Sequence, residues 1–214
     1  MKKCLIYVHD PMCSWCWGFA DAYQTLIAKL PPDLSVVRLL GGLAPDTDEP
    51  MPESMQLMLQ QTWRRIESRI PGTPFNYDFW TNCQPRRATY PACRAVIAAR
   101  EQGEVYDQAM TRQIQQAYYL QAHNPSDDET LIALAAEIGL DADRFADQLL
   151  AETTQQQLLN EISTAHSIGV NGFPSLVLDM DGQLEAVAVN YTDADAMLAQ
   201  INASLKRAIE CRTI

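Results

Sequence analysis

At 214 residues, 47% of them hydrophobic, the chain can bury a core without metals or cross-links, and its length suits one large domain or one domain carrying an insertion. A formal net charge of −11 repels phosphate backbones and anionic lipid, which argues against nucleic-acid and membrane partners. No apolar run nears the roughly 20 residues that cross a bilayer.

The start, Met1-Lys2-Lys3, is followed by an apolar stretch over residues 4–8 that ends in His9-Asp10. A secretory segment needs roughly 7–15 apolar residues and a cleavage site, so no export signal is read and a cytoplasmic location is expected. In a reducing compartment the six cysteines (Cys4, Cys13, Cys16, Cys83, Cys93 and Cys211) are not expected to form a disulfide scaffold.

Residues 5–9 form a short apolar run closed by Asp10-Pro11, which reads as a buried strand. Phe19, Tyr23, Leu26, Ile27 and Leu30 then recur at helical spacing until Pro31-Pro32 stops them. Residues 34–40 read as a second strand. Strand, helix and strand make a βαβ unit, so the two strands should be parallel with a right-handed crossover. Gly41-Gly42 to Pro52 reads as loop.

Helical periodicity follows for about a hundred residues. Met55, Leu59, Trp63, Ile66 and Ile70 share a face up to Pro71-Gly72, and Cys93, Val96 and Ile97 stripe another helix. Val105 to Tyr119 suggests a third. Ser126 and Glu129 have the spacing of a capping box for a fourth, Phe145 and Leu149 belong to a short fifth, and a sixth runs from about Thr154 to His166. Two strands, 175–179 and 184–189, flank the turn signal Asp181-Gly182. Thr192 is placed to cap a last helix that turns Met197, Leu198, Ile201 and Leu205 inward. The order is β-α-β, a helical block, then α-β-β-α.

Chemistry concentrates in Cys13-Ser14-Trp15-Cys16, at the junction of the first strand and the first helix. At a helix start, free N–H groups and the positive end of the dipole favour a thiolate on Cys13. Two intervening residues let the sulfurs meet, with Cys16 one turn in and able to attack a mixed disulfide. A zinc site would need four ligands, and neither a second CxxC nor a histidine cluster is present among His9, His123 and His166, so no metal is proposed. Covalent haem would need histidine where Trp17 stands. A CxxC beside a βαβ unit reads best as a redox pair. Phe173-Pro174 opens the third strand, where proline gives up a ladder donor harmlessly. A cis bond there would turn the Phe173 backbone towards the dithiol.

The segments His9-Asp10-Pro11-Met12-Cys13-Ser14-Trp15-Cys16-Trp17-Gly18-Phe19 and Gly169-Val170-Asn171-Gly172-Phe173-Pro174-Ser175-Leu176 resemble the DsbA-like family of thioredoxin-fold proteins, in its signal-less, predicted protein-disulfide isomerase branch. The resemblance spans nearly the whole chain. It implies an α/β, thioredoxin-like fold with an all-helical insertion: residues 1–50 plus 152–214 as the thioredoxin-like domain and 51–151 as the insertion. It further implies Cys13 as exposed nucleophile, Cys16 as resolving thiol and Pro174 as cis-proline, with Ser14, Trp15, Phe173 and Pro174 meeting substrate. The expected activity is thiol–disulfide exchange on protein or peptide thiols, with no cofactor beyond the Cys13–Cys16 couple and with glutathione as a candidate co-substrate. A reducing cytosol favours reduction or isomerisation over net oxidation.

The family's periplasmic oxidants resemble one another in a proline–histidine dipeptide between the cysteines, and this chain has Ser14-Trp15. One source of thiolate stabilisation is therefore missing, and an ionised Asp10 would oppose the anion. A Cys13 pKa below about 8.5, yet above the strongly oxidising extreme, is expected. Trp15 reads as exposed and Trp17 as packed. Cys4, Cys83, Cys93 and Cys211 read as inert apolar side chains, and Met51, Met55 and Met58 as core.

Two other activities fit the same pattern. Kappa-class glutathione transferases and 2-hydroxychromene-2-carboxylate isomerases resemble this fold and insert, but such a site has no use for Cys16. A non-catalytic thiol sensor or holdase would use the helical insert as a binding surface.

Overall fold

The computed structural model describes residues 3–210. Strand β1 (Lys3–His9), helix α1 (Ser14–Lys29) and strand β2 (Ser35–Leu40) come first, followed by helices α2 (Glu53–Arg69), α3 (Phe79–Asn82), α4 (Tyr90–Arg100), α5 (Val105–Tyr119), α6 (Asp128–Glu137), α7 (Ala142–Leu149) and α8 (Glu152–Ser167). Strands β3 (Ser175–Met180) and β4 (Gln183–Val187) and helix α9 (Ala194–Glu210) complete the chain. The fold is α/β and thioredoxin-like: one sheet in the order β2-β1-β3-β4, with β1 parallel to β2 and antiparallel to β3.

Alternation along β1 decides which side chains face which layer. Leu5 and Tyr7 join Phe19, Leu26, Met197 and Ile201 under α1 and α9, while Cys4, Ile6 and Val8 meet Ala165, Val170 and Val177 on the opposite face. A third cluster fills the helical block around Trp63, Phe79, Val96, Ile114 and Phe145, and it takes in Met12 and Leu40. Leu40, the last residue of β2, and Met12, in the turn after β1, thus belong to the core of the helical block.

The register sets the position of the site. Val8 pairs with Ser175 and His9 with Leu40, and Gly41 N–H donates to His9 O at 2.7 Å. The chain leaving β2 and the chain entering β3 therefore pass on either side of the end of β1, where the Asp10–Cys13 turn begins. Helix α1 turns Cys16, Phe19, Tyr23 and Leu26 inward and stops at Leu30, whose extended backbone (φ −62°, ψ 149°) suits a residue before proline. The β3–β4 turn places both Asp181 (φ +56°) and Gly182 (φ +87°) in the left-handed region, as a two-residue hairpin requires.

Three local expectations are corrected. The capping box at Ser126 does not form, because Ser126 donates its hydroxyl to Ala88 O and helix α6 starts later, after Asp127. Thr192 does not cap α9; Asp193 does, accepting from Ala196 N–H at 3.0 Å. Met58 is not core, being 49% exposed, whereas Met51 is buried. Cys211 lies outside the described residues. No helix among the described residues is long and apolar enough to cross a membrane.

Candidate functional site

The turn that delivers the dithiol is built by backbone bonds. Asp10 O accepts from Cys13 N–H at 3.0 Å, and Trp17 N–H then closes the first helical turn on Cys13 O at 3.1 Å. Cys13 is the residue at which α1 starts, with extended backbone (φ −79°, ψ 116°) and no side-chain cap. Its sulfur takes the place where a serine or aspartate oxygen would meet the free N–H groups of the first turn.

The two sulfurs differ in setting. The Cys16 thiol hydrogen-bonds the Cys13 sulfur and lowers the Cys13 pKa, with help from the backbone N–H groups of Cys16 and Trp15, against the opposing effects of burial and Asp10. Burial pushes the Cys16 thiol well up, and the neighbouring Cys13 adds to this. The pair thus divides into a more acidic thiol and a protonated partner. In its thiol form Cys13 donates to Phe173 O at 3.6 Å.

The expected exposure of Cys13 is corrected: the residue is only 7% exposed, and Cys16 is fully buried. Cys13 sits on the wall of a cleft of about 270 Å³ bounded by Trp15, Leu43, Met51, Arg87, Tyr118 and Phe173. Trp15 and Phe173 line that cleft from the thioredoxin side, and Leu59, Arg87 and Tyr118 line it from the helical block. Trp15 is half-buried, rather than fully exposed, with its ring tilted against Tyr191 at 5.3 Å. Trp17 packs as expected, stacked on Tyr119 at 5.6 Å and donating to Pro74 O.

Ser14 points away from solvent. It is buried and accepts from Trp63 Nε1–H at 3.0 Å, which anchors the start of α1 to the helical block. The Phe173–Pro174 peptide bond is cis. Phe173 lies over Gly41, where a Cβ atom would come within 2.0 Å of the ring, so only glycine admits this approach.

The residues that sequence reading passed over are those that reach the site from a distance. Tyr119 donates its hydroxyl to Met12 O at 2.7 Å, and Thr89 and Cys93 both meet Asp10. Arg87 lines the cleft and has no spacing signal, and Gly41 was legible only as loop. Cys93 stands with its thiol pushed well up by burial, and Cys83 donates to Ala122 O at 3.0 Å. His9 is buried with both ring nitrogens unpartnered, stacked on Tyr7 at 4.8 Å; burial, Arg38 and Arg100 push its pKa down. Among the described residues, no group of three His, Cys, Asp or Glu side chains could hold a metal.

Comparison with known proteins agrees with this geometry. The family described as Thioredoxin matches residues 6–198. A structure from Nitrosomonas europaea, provisionally assigned as a protein disulfide isomerase, is 25% identical with a TM-score of 0.85, covering 97% of this chain and 99% of that one. The cytosolic disulfide reductase DsbM of Pseudomonas aeruginosa is 24% identical with a TM-score of 0.76, over 95% of this chain and 98% of that one, and it is also known in a structure with GSH. Curated relatives include the ClpXP adapter protein SpxH of Halalkalibacterium halodurans (23% identity over 80% of this chain) and of Bacillus subtilis (24% over 78%). This chain spans 57% and 55% of their lengths. With its family matched along most of its length and its dithiol at the start of α1, the chain belongs to the thioredoxin family and has the fold of the DsbA-like thiol–disulfide oxidoreductases.

Proposed function

We propose that the protein carries out dithiol–disulfide exchange through Cys13 and Cys16, as a disulfide reductase or isomerase. The Cys13 thiolate attacks a substrate disulfide, forming a mixed disulfide and releasing one substrate thiol. Cys16 then loses its proton and attacks the Cys13 sulfur, which releases the second thiol and leaves the Cys13–Cys16 disulfide. The observation that carries this reading is Cys13 at the start of α1, one turn before the buried Cys16, with the Phe173 carbonyl 3.6 Å from the Cys13 sulfur on the cleft wall. On mixed-disulfide formation that carbonyl loses its thiol donor and is free to accept from a substrate backbone N–H. Ser14 serves as an anchor rather than a substrate contact, since Trp63 occupies it.

The substrates proposed are protein or peptide disulfides, with glutathione returning the enzyme to the dithiol and the cytoplasm as the compartment. Arg87 on the cleft wall supplies a positive charge suited to a carboxylate of that tripeptide, and DsbM is a neighbour seen with GSH. Insulin-disulfide reduction with glutathione as donor tests the reading. Activity should vanish in Cys13→Ser; activity that survives that change removes Cys13 from the role. Conjugation of glutathione to an aromatic electrophile, independent of Cys16, would favour the transferase reading instead.

The SpxH relatives favour a second reading, a thiol-dependent adapter that binds a protein partner. It predicts slow exchange and partner binding that changes with the redox state of Cys13–Cys16.

A further inference from the structure

We infer that Tyr191 is a specificity-determining residue: it holds the Trp15 ring as a fixed wall between the dithiol cleft and a second, larger cleft, and so favours short disulfides over those borne in the middle of a long chain. The inference rests on the dithiol reading above and narrows the substrates that the dithiol takes.

The two clefts meet at the start of α1. The first, of about 270 Å³, holds Cys13 and is lined by Trp15. The second, of about 550 Å³, is formed by Trp17, Asp21 and Thr25 of α1 with Pro74 and Arg112 of the helical block, and Tyr191 lines it. Of these two clefts, Trp15 lines only the first and Tyr191 only the second. Their rings pack together, with centroids 5.3 Å apart and planes tilted by 57°. The ring pair is therefore the partition.

Tyr191 is its fixed half. The ring meets the fully buried Phe19 edge-on at 5.8 Å. The loop that carries it is pinned to the start of α9: Asn190 Oδ1 accepts from Thr192 N–H at 3.1 Å and from Asp193 N–H at 3.0 Å, and Asn190 N–H donates to Met197 Sδ at 3.4 Å. Burial first, then Cys16 and Cys13, push the phenol up to about 12, so the wall carries no charge near neutral pH. Trp15 is the dependent half. It stands half-buried in the first turn of α1, and Tyr191 is the one aromatic ring among the described residues that it meets.

Size decides what the wall does. The dithiol cleft lies at the small end of the volumes that bind small molecules. It suits a disulfide with a few atoms on either side. A cysteine inside a polypeptide carries chain in two directions, and across the cleft from Trp15 stand Leu59, Arg87 and Tyr118 of the packed helical block. With the Trp15 ring displaced, the two clefts join, and Asp21, Thr25, Arg112 and Gln116 of the second offer polar partners to a further stretch of chain. The exchange chemistry itself is unchanged.

Two disulfides offered to the pre-reduced protein separate the cases: bis(2-hydroxyethyl) disulfide, which is small, and insulin, whose disulfides lie within polypeptide chains. Tyr191→Ala should raise the insulin rate constant relative to that of the small disulfide by roughly tenfold. The insulin rate should rise, and the small-disulfide rate should fall because a loose wall no longer holds that substrate against Cys13. Tyr191→Phe keeps the ring and should keep the wild-type ratio. A merely structural lesion would slow both reactions together and leave their ratio where it was. A Tyr191→Ala ratio that stays put or moves towards the small disulfide overturns the proposal, as does a Tyr191→Phe ratio that shifts as far as the alanine one. If Tyr191→Ala does not fold, Trp15→Ala removes the wall from its other side, and a ratio that fails to rise there is equally fatal. A wild-type dithiol oxidised by neither disulfide overturns the dithiol reading itself, an outcome separate from the variants.

Discussion

Residues 3–40 and the helical block from α2 to α7 build the same site by different means. The first is local: β1, the Asp10–Cys13 turn and α1 carry the sulfurs within a few residues of one another, through bonds such as Cys13 N–H to Asp10 O. The block adds no sulfur to the couple, yet it reaches the turn repeatedly across the sequence. Trp63 donates to Ser14, Thr89 to Asp10 and Tyr119 to the Met12 carbonyl, at separations of 49, 79 and 107 residues. Local geometry determines which atoms can react, and the distant contacts determine how acidic those atoms are, how open they are and how rigidly they are held.

The comparison breaks first at the sulfurs. Cys16→Ser should reduce multiple-turnover disulfide reduction to background while Cys13 still forms a mixed disulfide, visible as a stable adduct by mass spectrometry. Loss of the adduct as well would mean that Cys16 is needed for attack and not for release. Next comes Gly41→Ala, whose Cβ would strike the Phe173 ring. Displacing the wall that faces Cys13 should lower kcat/KM by roughly ten- to a hundredfold, with the folded dithiol still titrating.

Contacts from the helical block come third. Tyr119→Phe leaves the buried Met12 carbonyl without its donor and should cost about 1–3 kcal/mol in denaturant unfolding. Trp63→Phe strips the Ser14 partner for a similar loss. If both cost nothing, the block does not brace the turn. The smallest effect is one of pH: alkylation of Cys13 should rise with pH through a midpoint below the ordinary thiol value of about 8.5. The depressed folded pKa places that midpoint low, and the thiolate is protonated as pH drops through it. A midpoint near four would mean that neither Asp10 nor burial opposes the anion.

Much of the fold was legible because its signals are short-range. The βαβ start, the stop at Pro31-Pro32 and the Asp181-Gly182 hairpin each follow from a few adjacent residues. The failures share one cause. Ser126 had the spacing of a cap, and the Ala88 carbonyl took its hydroxyl instead. Ser14 lay where substrate was expected, and Trp63 took it. Cys13 was expected in the open, and the walls around Trp15 and Phe173 nearly cover it. In each case a residue far along the chain competed for a group that local reading had assigned elsewhere.

The sequence alone determined that two sulfurs stand at a strand-to-helix junction one turn apart, because a stop at Asp10-Pro11 and an apolar period beginning at Phe19 leave the chain little other way to run. Only the tertiary structure decided what surrounds them: a half-closed cleft, a carbonyl at Phe173 and a caged carboxylate at Asp10. Those depend on which distant donors arrive once the helical block packs against the turn, and hydrogen-bond partners separated by some eighty residues leave no periodic trace in the chain that makes them.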